Sequence, residues 1–143
     1  MAEPKSIDVV AGLLFKDGRL LACQRRADGP FPLKWEFPGG KIEPGEEAAI
    51  ALRRELREEL GIESEEVKEA FVHTHRYAGF STVNLKFFHV PRYRGEMVNR
   101  VFEQIRWLAQ EELANMDFLD GDRVVVEWLV SARAGTFWQS DKL

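Results

Sequence analysis

The sequence has little cysteine and no excess of basic residues, and both shortages exclude classes of protein. Its 143 residues contain one cysteine, so neither an intrachain disulfide nor a cysteine-only zinc site can form. That cysteine, Cys23, lies in an apolar run and is expected in the core. Asp and Glu number 24 against 20 Lys and Arg, for a formal net charge of −4. Proteins that bind nucleic acids usually show a basic excess, so we expect no stable nucleic-acid partner.

Long apolar runs are also missing. No stretch approaches the roughly 20 apolar residues of a membrane span. The first residues, MAEPKSID, lack the basic-then-apolar pattern of a signal peptide. We therefore expect no membrane association and a cytoplasmic location. The composition, 45% hydrophobic and 31% charged, is that of a globular protein, and we expect a single domain over residues 1–143.

Alternating and helical hydrophobic patterns follow one another along the chain. Strands are predicted at residues 7–15, 20–23, 35–38, 69–77, 81–90 and 104–108. Asp17-Gly18 separates the first two and is a hairpin signal, because a tight turn needs positive φ. Helices are predicted at residues 46–60, closed by Gly61, and at residues 117–130. The pattern predicts a compact α+β or α/β sandwich with a mixed sheet.

Three glutamates crowd the end of the first predicted helix. Glu55, Glu58 and Glu59 share a face, because residues three and four apart are neighbours on a helix. Like charges at this spacing cost a few tenths of a kcal/mol per pair, and acids at a helix C-terminus cost roughly 0.3–1 kcal/mol more each. A divalent cation would reverse these terms, and Mg²⁺ prefers oxygen ligands. The hexapeptide ELREEL alone fits a solvated face equally well.

The residues in front of this helix strengthen the metal interpretation. Gly39-Gly40 follows an extended segment, where bare backbone can approach a ligand. Pro44-Gly45 predicts a turn, and Glu46 then begins the predicted helix. The result is a strand–loop–helix unit whose acids face the loop.

The spacing within this unit resembles a known family motif. From Gly40 to Ile62 the sequence matches G-x5-E-x7-R-E-U-x-E-E-x-G-U, the Nudix box, at every specified position, where U is apolar. Nine constrained positions at fixed spacing make a highly specific signal. The preceding WEFPGGKIE is similar to the MutT-type branch. The resemblance is dense from about Val9 to Ile62 and thinner to about Leu129.

The resemblance implies a fold and a reaction. The fold would be an α/β/α sandwich with a mixed central sheet, a catalytic loop-helix and a C-terminal helix. Nudix proteins hydrolyse a nucleoside diphosphate linked to another moiety, and MutT-type members convert nucleoside triphosphates to monophosphate and pyrophosphate. We therefore expect a Mg²⁺-dependent pyrophosphohydrolase, with Mn²⁺ as a possible substitute. It would act in nucleotide-pool sanitation on 8-oxo-dGTP or a cytidine triphosphate.

Alternatives remain open at this point. The substrate could be another nucleoside diphosphate derivative, such as a dinucleotide, a nucleotide sugar or an RNA 5′ end. The chain could also be a non-catalytic module that senses a nucleotide, although no acid of the box is missing. Either a monomer or a homodimer fits the sequence.

The resemblance also assigns roles to residues around the metal. The implied metal ligands are the Gly39 carbonyl, Glu46, Glu55, Glu58 and Glu59, with Glu46 either bracing or joining the metal shell. Arg54 would hold the glutamates through charge-assisted hydrogen bonds. Lys41 is a candidate phosphate contact.

The general base has two candidates. In the MutT-type members that this sequence resembles, it is a glutamate six residues before a tryptophan in the fifth-strand region. Here that tryptophan resembles Trp107, and six residues before it stands Val101. Glu103, four residues before, could take the role through a different loop path, or a box glutamate such as Glu58 could activate the water. Glu103 fits a solvated loop acid as well.

Three further residues are candidates for recognising the nucleotide. Arg26 matches a MutT-type arginine near the nucleotide, and Phe37 could line the base pocket or the core. Asp122 stands where the enzyme for oxidised guanine has Asn before its last helix. Ionised Asp only accepts hydrogen bonds, which favours an exocyclic amine such as that of cytosine over 8-oxo-dGTP. Burial would favour a protonated Asp122 that can donate, and a helix N-terminal acid is the plain alternative.

Overall fold

The computed structural model describes residues 6–79 and 81–142, and a seven-stranded sheet forms its centre. The strands are β1 Ser6–Lys16, β2 Arg19–Gln24, β3 Trp35–Glu36, β4 Gly39–Lys41, β5 Glu63–Arg76, β6 Thr82–Arg94 and β7 Gln104–Leu108. Two α-helices, α1 Ala48–Leu60 and α2 Arg123–Val130, and several short 3-10 turns complete the described fold. β1 and β6 run parallel and the other named pairs antiparallel, so the predicted mixed sheet is confirmed.

The sheet order β3-β2-β1-β6-β5 puts β1 at the centre. On the edge away from β6, β1 pairs with two strands in turn: residues 9–11 pair with β4, whereas residues 15–16 pair with β2 across the predicted Asp17-Gly18 turn. The β1–β4 pairing therefore brings Gly39 and Gly40 alongside the central strand.

The two helices belong to separate hydrophobic clusters, and the α/β/α arrangement implied by the resemblance is confirmed. The buried side chains of α1 are Ala51, Leu52, Leu56 and Leu60. They pack in one cluster with Val10 and Cys23, so the prediction that Cys23 lies in the core is confirmed. α2 buries Val125 and Leu129 in the other cluster with Phe37. No helix in the described part of the chain is long and apolar enough to cross a membrane.

Both helices begin later than predicted. α1 begins at Ala48, and Glu46 stands in the preceding turn, where its carboxylate accepts a 3.0 Å hydrogen bond from the Glu43 backbone N–H. α2 begins at Arg123, because residues 117–119 are taken up by β3. The Trp35 N–H donates to the Asp117 carbonyl at 2.8 Å, and the Leu119 N–H donates to the Trp35 carbonyl at 2.9 Å. A short 3-10 turn, Asp120–Asp122, then leads into α2.

The strand predicted at residues 69–77 begins earlier, at Glu63. Its first half carries many charged residues and register shifts between Ser64 and Phe71, which obscure the alternating pattern. An edge strand tolerates such residues because one side of it is unpaired. β4 was not predicted, because three residues with two glycines carry no strand pattern.

Candidate active site

Arg54 is the centre of the loop-helix unit. Its Nε and Nη2 donate to the two carboxylate oxygens of Glu46 at 2.9 and 3.0 Å. Its Nη1 donates to Glu55 at 3.0 Å and to Glu58 at 3.4 Å, and its Nη2 also donates to the Lys41 carbonyl at 3.1 Å. One guanidinium thus joins three of the predicted acids to the backbone of β4. The forked geometry suits arginine, whose donors are fixed in a plane.

Glu46 is bound to this arginine. The hydrogen bonds from Arg54, and then the one from Glu43, lower the pKa of Glu46 to about 2. Both carboxylate oxygens of Glu46 accept hydrogen bonds from Arg54, and one of them also accepts from the Glu43 backbone. This geometry corresponds to the bracing role of Glu46.

Glu59 and Glu55 are more affected by burial than Glu46 is. Glu59 accepts a 3.0 Å hydrogen bond from the Gly39 N–H. Its pKa rises to about 8, first because it is buried and then because Glu55 and Glu36 add negative charge. Burial also raises the pKa of Glu55, against the opposing effect of Arg54. Burial therefore makes both groups costly to ionise, and a further cation beside them would lower that cost.

The two glycines give these acids their space. A Cβ built on Gly40 would lie 2.5 Å from Glu55 Cδ, and one on Gly39 would lie 2.0 Å from the Val10 carbonyl oxygen. No side chain fits at either position without movement of the neighbours. The groups that approach the bare backbone here are Glu55 and β1, and the approach to a ligand expected from the sequence stays a prediction.

The chemistry of the donor set suits a hard divalent cation. The carboxylates of Glu55, Glu58 and Glu59 and the nearby carbonyls are all oxygen donors, as Mg²⁺ prefers. Glu58 is the most open of them, with 59% of its side chain exposed. Within residues 6–79 and 81–142, no three acidic, His or Cys side chains already converge as a metal cage. An ion would compete with the hydrogen bonds to Glu55 and Glu59 described above.

A cleft of about 380 Å³ begins beside Glu59 and runs along β1. Residues of the box region form one part of its lining, the box end, and polar and aromatic residues on separate elements form the other end. The box-side residues are Gly39, Gly40, Lys41 and Glu59. The residues at the other end include Arg25, Phe31, Glu36, Phe37, Tyr77 and Asp122. The cleft can therefore hold one ligand that reaches both groups.

Three of the residues predicted to contact the nucleotide line this cleft: Lys41, Phe37 and Asp122. Phe37 is also a core residue, tilted against Phe118 with a ring distance of 5.1 Å, so both interpretations of it apply. Arg26 does not line the cleft. Its side chain is 59% exposed and lies 3.6 Å from Asp28.

Glu103 also lies apart from the residues that line the cleft. It is exposed, and its carboxylate accepts a 3.2 Å hydrogen bond from the Ala27 N–H. Its contacts are therefore those of an acid that joins two loops. The alternative base, Glu58, bonds directly to Arg54 within the box.

The Arg25–Glu36 pair was not among the predicted site residues. Arg25 Nη1 donates to the two Glu36 oxygens at 3.1 and 3.2 Å, and Arg25 Nε donates to the Pro30 carbonyl at 2.8 Å. Burial raises the pKa of Glu36, and Arg25 opposes the rise. The available signal was a charged residue between two buried aromatics, Trp35 and Phe37, on an extended segment.

Asp122 is the most unusual group in the cleft. It is 5% exposed, and no described residue donates a hydrogen bond to its carboxyl. Burial raises its pKa well above the ordinary range, and the charge of Glu36 adds to the rise. Burial therefore favours the protonated form, which can donate one hydrogen bond and accept others.

Two aromatic residues frame the same end of the cleft and were also missed. Phe31 and Tyr77 lie with ring centroids 5.2 Å apart. Phe31 has φ of 51° and Leu33 has φ of 61°, so this loop holds two non-glycine residues in left-handed backbone. Such conformations are uncommon and concentrate at ligand-binding sites.

Comparison with known proteins agrees with this geometry. A family model described as NUDIX domain matches residues 5–129. The chain is 35% identical over 130 residues to the CTP pyrophosphohydrolase of Escherichia coli (strain K12), covering 91% of this chain and 96% of that protein. It is 34% identical over 128 residues to the nucleoside triphosphatase NudI of Enterobacter sp. (strain 638), covering 81% and 91%.

Solved structures show the same fold. The solution structure of the E. coli ORF135 protein has a TM-score of 0.80 at 35% identity, covering 92% of this chain and 94% of that one. A MutT structure from a study of Aliivibrio salmonicida and Vibrio cholerae has a TM-score of 0.75 at 30% identity, covering 88% and 98%. The chain belongs to the NUDIX domain family, as its Nudix box predicted.

Proposed function

We propose that this protein is a pyrophosphohydrolase that converts nucleoside triphosphates to monophosphate and pyrophosphate, with cytidine nucleotides as its preferred substrates. The observation that carries the proposal is a single cleft that joins Glu59 of the Nudix box to Asp122, a buried carboxyl to which no described residue donates a hydrogen bond. The similarity to a CTP pyrophosphohydrolase supports the same substrate class.

Glu55, Glu58 and Glu59, with the Gly39 carbonyl, would hold Mg²⁺ or Mn²⁺. When bound, such an ion neutralises phosphate oxygens and makes water a better nucleophile. Arg54 keeps Glu55 and Glu58 directed to one side of α1 by donating to both. Glu46 holds Arg54 in turn, so the loop and the helix form one unit.

Lys41 supplies a cation at the box end of the cleft. It is exposed and lines the cleft beside Gly40. An ammonium group attracts phosphate as a point charge without demanding a fixed direction. A triphosphate that extends from the Asp122 end toward Glu59 would pass this side chain.

Glu58 is the better candidate for general base. Neither carboxylate lines the cleft, but among the described contacts Glu58 accepts from Arg54 at 3.4 Å, beside the predicted metal ligands, whereas Glu103 accepts from Ala27 in another loop. A base must reach the proton that it removes directly or through one water molecule. The box position satisfies this requirement more closely.

The base would be read by Asp122 and Glu36 together. A protonated Asp122 can donate to the ring nitrogen N3 of cytosine and accept from its 4-amino group. Glu36, paired with Arg25, offers further acceptors close enough to raise the pKa of Asp122. An amino group satisfies these acceptors with its two N–H bonds. Uracil can pair with Asp122 through its N3–H and 4-oxo group, but it has no amino group for the Glu36 acceptors and leaves them unpaired, at a cost of about 1–3 kcal/mol.

A hydrolysis panel tests the proposal. The protein is incubated with Mg²⁺ and each standard ribo- and deoxynucleoside triphosphate, 8-oxo-dGTP and 5-methyl-dCTP, and products are separated by anion exchange. We expect CMP or dCMP with pyrophosphate from the cytidine substrates first. Preference for 8-oxo-dGTP would refute the base assignment, and no hydrolysis of any triphosphate would refute the reaction and leave dinucleotides, nucleotide sugars, RNA 5′ ends or nucleotide sensing.

A further inference from the structure

Tyr77 lies where the β5–β6 hairpin meets the turn that carries Asp122. Its phenolic oxygen accepts a hydrogen bond from the Gly121 backbone N–H at 2.9 Å. Gly121 is buried, and a Cβ built on it would lie 2.7 Å from that oxygen. The hydroxyl therefore occupies the space that a side chain at position 121 would need. It also pairs a backbone donor that burial would otherwise leave unsatisfied.

The turn has a second attachment on its other side. The Leu119 N–H donates to the Trp35 carbonyl at 2.9 Å, and the Trp35 N–H donates to the Asp117 carbonyl at 2.8 Å. The Asp122 N–H then closes the turn onto the Leu119 carbonyl at 2.9 Å. β3 thus holds the first half of this segment, and Tyr77 holds the second half.

No residue of the described chain donates a hydrogen bond to the Asp122 carboxyl. Its position in the cleft is therefore set by the backbone turn and by packing. Burial raises the pKa of Tyr77, the Gly121 hydrogen bond lowers it, and an ionised Asp122 would raise it further, as expected for neighbouring groups. A shift of the turn would move the carboxyl relative to a bound base.

We infer that Tyr77 is a positioning residue for base selection, which holds the Asp122 carboxyl in place through the hydrogen bond to Gly121. This inference rests on the proposed function. The described hydrogen bonds of Tyr77 do not involve Arg54 or the acids of the box. Tyr77 therefore governs which base is accepted and has little effect on the phosphate chemistry.

Tyr77→Phe is the first test. It removes the oxygen and keeps the ring, which packs against His75 at 4.5 Å and Phe31 at 5.2 Å. The ratio of kcat/KM for CTP to that for UTP should fall about tenfold, because the buried Gly121 N–H loses its partner and no longer holds the turn that carries Asp122. kcat for CTP should stay within about threefold of the parent. Tyr93→Phe, at the other of the two tyrosines, is the matched control and should leave the ratio unchanged.

The same substitution in an Asp122→Ala background separates positioning from general damage. If Tyr77 acts through Asp122, Tyr77→Phe should produce no further change in the base ratio there. Gly121→Ala should reproduce the fall in the parent background, since its Cβ would displace the Tyr77 oxygen. Thermal unfolding of each variant verifies that it is folded. Equal losses for CTP and UTP, or the same fall with and without Asp122, would overturn the inference.

The two proposals fail in different ways. A parent protein that prefers CTP, together with an unchanged ratio in Tyr77→Phe, contradicts the inference and leaves the proposed function intact. A parent that hydrolyses CTP and UTP equally, or neither, contradicts the proposed base selection and this inference with it.

Discussion

Arg54→Ala should destabilise the protein far more than an ordinary surface substitution. Arg54 is 21% exposed and donates to Glu46, Glu55 and Glu58 as well as to a backbone carbonyl. Hydrogen bonds to charged groups contribute about 1.5–3 kcal/mol each, and breaking a fully buried ion pair costs about 3–5 kcal/mol. Allowing for partial exposure, we expect the free energy of unfolding without metal to fall by about 2–3 kcal/mol.

Urea denaturation followed by tryptophan fluorescence measures this loss. The matched control is Arg57→Ala, on the same helix, where a 52% exposed side chain pairs with Glu63 at 2.6 Å. Exposed pairs of this kind contribute about 0–1 kcal/mol. Arg54→Lys keeps the charge but loses the forked donors, so it should recover less than half of the loss. Equal effects of the two alanine substitutions would refute the role given to Arg54.

Three further predictions follow from the site and the core. Glu58→Gln should fold with unchanged or higher stability without metal, because it removes a like charge at the end of α1, and should lower turnover about a hundredfold or more. Glu103→Gln should lower turnover less than tenfold, below the roughly hundredfold minimum expected of a general base, and a larger loss than in Glu58→Gln would reverse that assignment. Burial lowers the pKa of His89, whose Nε2 lies 2.7 Å from Ser140 Oγ. The unfolded chain therefore binds a proton at His89 more tightly than the folded chain does. The contribution of neutral His89 to the free energy of unfolding is present above the ordinary pKa of 6.5 and is lost as pH falls below that value. His89→Gln should reduce the fall in the thermal unfolding temperature as the pH is lowered. An unchanged fall would contradict this prediction.

The parts of the site that local spacing determines could be predicted from the sequence. The Nudix box places Arg54 and Glu55 on one helix, and helical periodicity alone puts Leu52 and Leu56 on its buried side. Gly39 and Gly40 were expected to allow a close approach, and the structure shows the atoms that would collide with side chains there. These features depend on residues close together in the chain.

The other end of the cleft depends on contacts between distant segments. Nothing local indicates that residues 117–119 join Trp35 and delay the start of α2. Arg25 and Arg26 are adjacent in the sequence, and only the path of the following loop turns Arg25 toward Glu36. Tyr77 reaches Gly121 across 44 residues of sequence. Pairings of this kind are set by tertiary packing and leave no periodic signal.

The measurement that tests the central claim most directly is the ratio of kcat/KM for CTP and UTP in the parent and in two variants at Asp122. We predict at least a tenfold preference for CTP in the parent and a ratio near one in Asp122→Ala, since the lost interactions contribute about 1–3 kcal/mol. Asp122→Asn, whose amide imitates the protonated acid, should keep most of the preference. A parent without preference, or an undiminished preference in Asp122→Ala, would contradict the account.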